Sequence, residues 1–215
     1  MFKAFHIAVL LHLLLVFPFN AAAEGDGNKI DLSIEEQNKE ALETFKKILG
    51  LTENSDRISV LPQIETAYMD IINKYPQAQL TQECHWRLMS VYLSEYNPPA
   101  FEKAEHLRSE FIKKYPESTQ RSIIEDTLAD GYYKNAKWEK LLRFYTPVIR
   151  QFVEKGVLMR PGEMFMYSEA KFKLGDLVES EKGYKIVIGL FPGTKEALKS
   201  KERLEEIDRI KTKHN

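Results

Sequence analysis

The sequence predicts an all-α fold built from repeated helical hairpins, and three observations carry that expectation. Apolar residues recur at helical spacing almost from Ser33 to the C-terminus, with no run of alternating β-branched residues to suggest a strand. Residues 167–194 read like the stretch about 39 residues earlier, a period in the range of helical repeats. Three helical patterns also end on an aromatic residue followed by proline, at Tyr75-Pro76, Tyr115-Pro116 and Phe191-Pro192. The aromatic can pack at the helix end, and the proline cannot continue the helix.

The N-terminus has a separate character. Lys3 precedes an apolar run from Ala4 to Phe19, and Ala21-Ala22-Ala23 supplies small residues for a cleavage site, the layout of a secretory signal peptide over residues 1–23. The run is short for a membrane span, which needs roughly twenty residues. An uncleaved membrane anchor is the alternative. The expected mature chain begins near Glu24, is about 190 residues long, and has no integral membrane span after cleavage. Residues 24–33 read as a flexible leader.

From Ser33 the elements follow in order. Ser33 and Glu36 fit a capping box, with Ala41, Phe45 and Leu49 on one helical face and Gly50 as the stop. Residues 51–57 read as a polar loop. Hairpins are expected near residues 34–76, 80–116, 119–154 and 161–192 within one repeat domain over 34–215. The segment 82–96 carries Trp86, Leu88, Met89, Tyr92 and Leu93 on buried stripes, and the Pro98-Pro99 turn after it is longer than the others. Residues 195–213 place Leu198, Leu204, Ile207 and Ile210 among many charges, an amphipathic helix suited to cap the array.

Within the period, Ser168 aligns with Ala129, Gly175 with Ala136, Ser180 with Leu141, Tyr184 with Tyr145, Val187 with Val148 and Pro192 with Val153. The first small residue permits close helix approach. The second sits in a tight turn, after which Trp138 or Leu177 opens the next helix and plugs the gap.

Composition and motifs exclude several classes of function. Lys and Arg number 31 against 32 Asp and Glu, so no basic face is predicted and no nucleic-acid partner is expected. The lone Cys84 forms no intramolecular disulfide. Although His85 adjoins it, His106 and His214 lack metal-ligand spacing to the pair, so no metal is expected and Cys84 reads as a small core residue. No nucleophile elbow, phosphate-binding loop or zinc-protease motif occurs, so the chain does not read as an enzyme and no cofactor is expected. Met164-Phe165-Met166 reads as core packing.

These residues resemble the tetratricopeptide repeat. Leu128, Ala129 and Tyr132 match its first helix, and Trp138, Leu141, Tyr145 and Val148 its second. Gly175, Leu177, Ser180, Tyr184, Val187 and Pro192 repeat the register. Lys171 departs from it where the family has an aromatic, and Phe172 is the neighbouring aromatic. The Lys-Tyr-Pro endings, the long period and the N-terminal signal are similar to bacterial periplasmic members of the outer-membrane-assembly lipoprotein and Tol–Pal coordinator type. No cysteine follows the apolar run, so the lipoprotein signal itself is absent.

The resemblance implies a right-handed α-solenoid of tetratricopeptide-like hairpins with a C-terminal capping helix. The first helix of each hairpin would line a concave groove that holds a protein or peptide of the cell envelope. Trp86, Ser90, Asp126, Asp130, Tyr133, Phe165, Glu169, Phe172 and Lys173 are then the candidate partner contacts. Mixed acidic and aromatic groups suit a partner with basic and apolar anchors. The expected location is the periplasm, homo-oligomers are possible through the ends of the array, and a small-ligand or cell-wall-glycan binder is the alternative function.

Overall fold

A computed structural model describes residues 32–158 and 160–213. The expected signal peptide, and the expected leader as far as residue 31, lie outside the described residues. The described residues are helical, with no strand among them. The helices are α1 (Ile34–Asn54), α2 (Leu61–Lys74), α3 (Leu80–Ser94), α4 (Phe101–Lys114), α5 (Arg121–Lys134), α6 (Trp138–Lys155), α7 (Pro161–Lys173), α8 (Leu177–Leu190) and α9 (Lys195–Lys213). No helix among them is long and apolar enough to cross a membrane.

The start of α1 follows from its cap. Ser33 Oγ accepts from the Glu36 N–H at 3.3 Å, and Glu36 Oε2 accepts from the Ser33 N–H at 2.9 Å, which satisfies two orphan donors reciprocally. The expected stop at Gly50 is corrected: α1 continues to Asn54. An interior glycine costs a helix only about 0.5–1 kcal/mol, and Leu51 beyond it packs against the core. The buried face runs through Ala41, Phe45 and Ile48, whereas Leu49 is exposed.

The other helix ends repeat one another. Tyr75, Tyr115 and Phe191 cap α2, α4 and α8 with nearly the same backbone (φ −124, −129 and −129°; ψ 57, 63 and 54°). Each cap N–H donates to the carbonyl four residues earlier, at Ile71, Phe111 and Val187. Ala100, Lys137 and Asp176 likewise open α4, α6 and α8 at φ near −80°, with ψ of 65, 60 and 75°. Before α6 and α8 the chain turns through positive φ, at Ala136 (53°) and Gly175 (86°). α6 ends differently, on Gly156 in the left-handed region.

Packing follows chain order. α1 lies on α2, α3 on α4, α5 on α6, and α7 on α8, while α1 also touches α3, α3 touches α5, and α7 touches α9. Hydrogen bonds join equivalent positions one period apart. The Tyr115 hydroxyl donates to Pro76 O (2.9 Å), the Gln77 N–H to Gln37 Oε1 (3.0 Å), and Trp86 Nε1–H to Thr127 Oγ1 (3.1 Å).

Two groups of buried side chains result. The larger spans α1 to α7 and includes Phe45, Ile71, Leu88, Phe111, Leu128, Leu141 and Ala170. The smaller joins Ile149 of α6 to Met164, Phe165, Tyr184, Val187 and Ile207 of α7 to α9, and Met166 and Tyr167 pack against both. Close approach of α7 and α8 depends on Gly183, where a Cβ would collide with Ser168 Oγ. The expected face of α9 is partly corrected. Ile207 is fully buried, but Leu198 is exposed, and Ala197 and Ser200 take the inner positions.

Candidate functional site

α3 and α5 bring Ser90 and Asp130 together. They line a hollow of about 240 Å³ between α3 and α5, with Leu93 and Gly131 as its floor and Ser94, Thr127, Lys134 and Asn135 around it. Gly131 matters for its shape, since a Cβ there would meet the Leu93 methyls at 3.0 Å. Trp86 flanks the hollow, half-buried and held by its bond to Thr127, and Ser90 Oγ donates to Trp86 O at 3.0 Å. A larger depression of about 390 Å³ lies between α1 and α2, lined by Thr44, Lys47, Gln63 and Asp70 among others. It belongs to one hairpin alone, so it offers no surface built across the period.

The remaining candidates divide by burial. Asp126 and Asp130 are exposed on α5, Tyr133 is half-buried, and Lys173 is exposed with Nζ 5.4 Å from the Phe172 ring centre. Phe165, Glu169 and Phe172 are 5%, 0% and 9% exposed, so the expectation that they face a groove is corrected. Phe165 packs on Tyr184. Phe172 lies beneath the Arg203 guanidinium, 5.3 Å from its ring centre.

Glu169 is the hub of a polar junction that sequence reading did not foresee. Arg203 of α9 donates to both its oxygens (2.7 and 3.0 Å), Tyr133 of α5 to Oε2 (3.0 Å), and Tyr184 of α8 to Oε1. Burial alone would raise the Glu169 carboxyl. The bonds from Arg203, Tyr184 and Tyr133 outweigh it and hold the group below the usual carboxylate range. Four helices therefore meet on one buried charge.

A related arrangement recurs between earlier hairpins. Tyr92 and Lys103 donate to Glu65 (3.0 and 2.7 Å), and Tyr132 and Lys140 donate to Glu105. Glu65 and Glu105, like Tyr92 and Tyr132, stand one period apart, a signal legible in the sequence once the period is known. In the next unit Lys171 takes the tyrosine position and binds Asp176 at 3.0 Å instead.

A further cluster sits where α5 meets α7. Arg160, at the start of α7, donates to both oxygens of Asp126 (2.9 and 2.7 Å) and to Glu163 Oε1 (3.2 Å). Tyr145 of α6 lies behind it. Burial pushes the Tyr145 phenol up, and Asp126, Glu163 and Asp130 push it further against the opposing effect of Arg160. Nothing in the sequence marked Glu163, because an acid in the first turn of a helix is commonplace.

The ionisable residues that tempt a catalytic or metal reading are packed. Cys84 is fully buried, and burial pushes its thiol up to about 12, which leaves little thiolate at neutral pH. His85 is wedged edge-on between Phe111 and Tyr115. Among the described residues, no group of three or more His, Cys, Asp or Glu could hold a metal ion. No family model matches the chain, and no curated protein or solved structure matches it either.

Proposed function

We propose that this chain is a helical-repeat scaffold of the tetratricopeptide type. In this reading it is a right-handed solenoid that holds a peptide or helix of a protein partner along the exposed face of its first helices. The observation that carries the reading is the α3–α5 hollow, because it joins Ser90 and Asp130 from consecutive repeats into one surface with an apolar floor. Trp86, Asp126, Tyr133 and Lys173 extend that surface. The apolar N-terminal run with its small-residue cleavage site supports export, and with it a partner in the cell envelope.

Photo-reactive residues at Ser94 and Asp130, with Lys182 of α8 as a control, test this in cells. Discrete protein adducts from the two hollow positions and none from Lys182 are expected. Equal labelling at all three positions would remove the groove reading. Adducts with glycan or a small molecule, and none with protein, would replace the scaffold by a ligand-binding function. Sequencing the N-terminus of chain recovered from fractionated cells tests export, and an intact Met1 in a cytosolic fraction would refute it.

A further inference from the structure

The side chains around the α3–α5 hollow offer more acceptors than donors. Ser90, Ser94 and Thr127 each give the hydroxyl hydrogen to a carbonyl of their own helix, at Trp86 O (3.0 Å), Ser90 O (2.6 Å) and Ile123 O (2.7 Å). A hydroxyl that has donated its one hydrogen can only accept. Asn135 donates from Nδ2 to Gly131 O (2.9 Å), which leaves its Oδ1 as an acceptor. Asp130 is exposed and makes no side-chain hydrogen bond or ion pair among the described residues. Among those residues, the one cation lining the hollow is Lys134, which is also exposed.

The backbone favours positive charge at the same place. α3 ends on Ser94 and α5 on Lys134, so the hollow lies at the last turn of both helices. Trp86 bonds Thr127 earlier along both, so the helices run side by side in one direction. Their negative dipole ends therefore act together on whatever enters. The floor is apolar, because Gly131 leaves the Leu93 methyls uncovered.

We propose that this hollow seats a lysine side chain of the bound polypeptide, its methylene stem on Leu93 and its ammonium among the Ser90, Ser94, Asn135 and Asp130 oxygens. The inference rests on the scaffold reading and gives its partner a chemistry. A lysine pairs an apolar stem with a compact charge whose three donors turn toward scattered acceptors. A guanidinium is best served by two acceptors in one plane, and here the acceptors stand on separate turns of two helices. Lys134, one turn beyond Asp130, is the chain's own competitor for that carboxylate.

The test is a titration of the isotope-labelled full chain with Nα-acetyl-lysine amide, followed by amide shifts. Nα-acetyl-norleucine amide, with the stem but no charge, is the control, and Nα-acetyl-arginine amide is the rival cation. Saturable shifts at Ser90, Ser94, Asp130 and Gly131 are expected, with affinity at least about fivefold above the norleucine compound and weakened by salt. Asp130→Asn, an exposed and structurally mild change, should remove most of that preference, and Lys134→Gln should raise the affinity for the lysine compound. Equal affinity for lysine and norleucine, no saturable shift, tighter binding of arginine, a preference unchanged in Asp130→Asn, or weaker binding in Lys134→Gln would each overturn the proposal.

The two readings fail separately. Protein adducts at Ser94 and Asp130 with no lysine preference would sink the seat and leave the scaffold. A lysine preference with no protein adduct would overturn both in favour of a small free amine.

Discussion

His85 has been moved far from its ordinary chemistry by where the chain places it. It is 1% exposed, Nδ1 lies 2.8 Å from Thr81 O, and Nε2 has no partner. Burial lowers its pKa from 6.5 to about 4, the Thr81 carbonyl opposes that, and Lys114 adds to it. The folded state thus holds the neutral ring while the unfolded chain takes up a proton as pH falls below 6.5. Stability is complete above that value and is lost on acidification toward 4, at up to about 1.4 kcal/mol per pH unit. Denaturant titrations at pH 7.5 and pH 5 should differ by roughly 2 kcal/mol, and His85→Gln should reduce the difference. An identical loss in both proteins would assign it elsewhere. The glycines make a second prediction. Gly175 sits at φ 86°, so Gly175→Ala should cost about 1–2 kcal/mol. Gly50 lies within α1 with open space at its Cβ position, so Gly50→Ala should stabilise by about 0.5–1 kcal/mol. Opposite shifts in melting temperature, each a few degrees, would check the pair.

The terminal helix shows how an element is fixed by one charge. α9 buries Ala197, Ser200 and Ile207, but its register is set by Arg203 on Glu169. Glu169→Ala leaves two tyrosine hydroxyls without their acceptor and Arg203 with Glu206 alone, and should cost about 2–4 kcal/mol. Arg203→Met should cost about 3–5 kcal/mol, since the fully buried carboxylate then keeps two hydroxyl donors but loses its counter-charge. The double change Glu169→Leu with Arg203→Met should recover part of the loss, because no charge is then left buried alone. Additive losses in a double-mutant cycle would count against this view. This junction also marks where sequence legibility ended. Aromatic-proline endings and small turn residues were readable because each answers a local backbone demand, and the helices they bound could be counted from them. The inward turn of Glu169 was not readable. A first-helix acid faces solvent or the core according to what the next element supplies, and here Arg203 comes from 34 residues away. Gly50 misled for the same reason: α1 gains enough from packing Leu51 to carry a glycine through its interior.

At the scale of the molecule, the two groups of buried side chains bear on how unfolding spreads. Ile71 of α2 belongs to the first and Ile207 of α9 to the second, and both are fully buried. Either residue changed to alanine should cost about 2–5 kcal/mol. In an array of nearest-neighbour units, such a loss acts mainly on the unit that carries it and its immediate neighbours. Ile207→Ala should therefore speed amide exchange in α7 to α9 and leave α2 to α4 protected, while Ile71→Ala should do the reverse. The groups meet along α6 and α7, each of which carries members of both, and Met166 and Tyr167 pack against both. If either substitution lowered protection uniformly from α1 to α9, the chain would be a single cooperative unit. The proposed solenoid would then lose its main energetic consequence, that its ends can open while its middle stays folded around a bound segment.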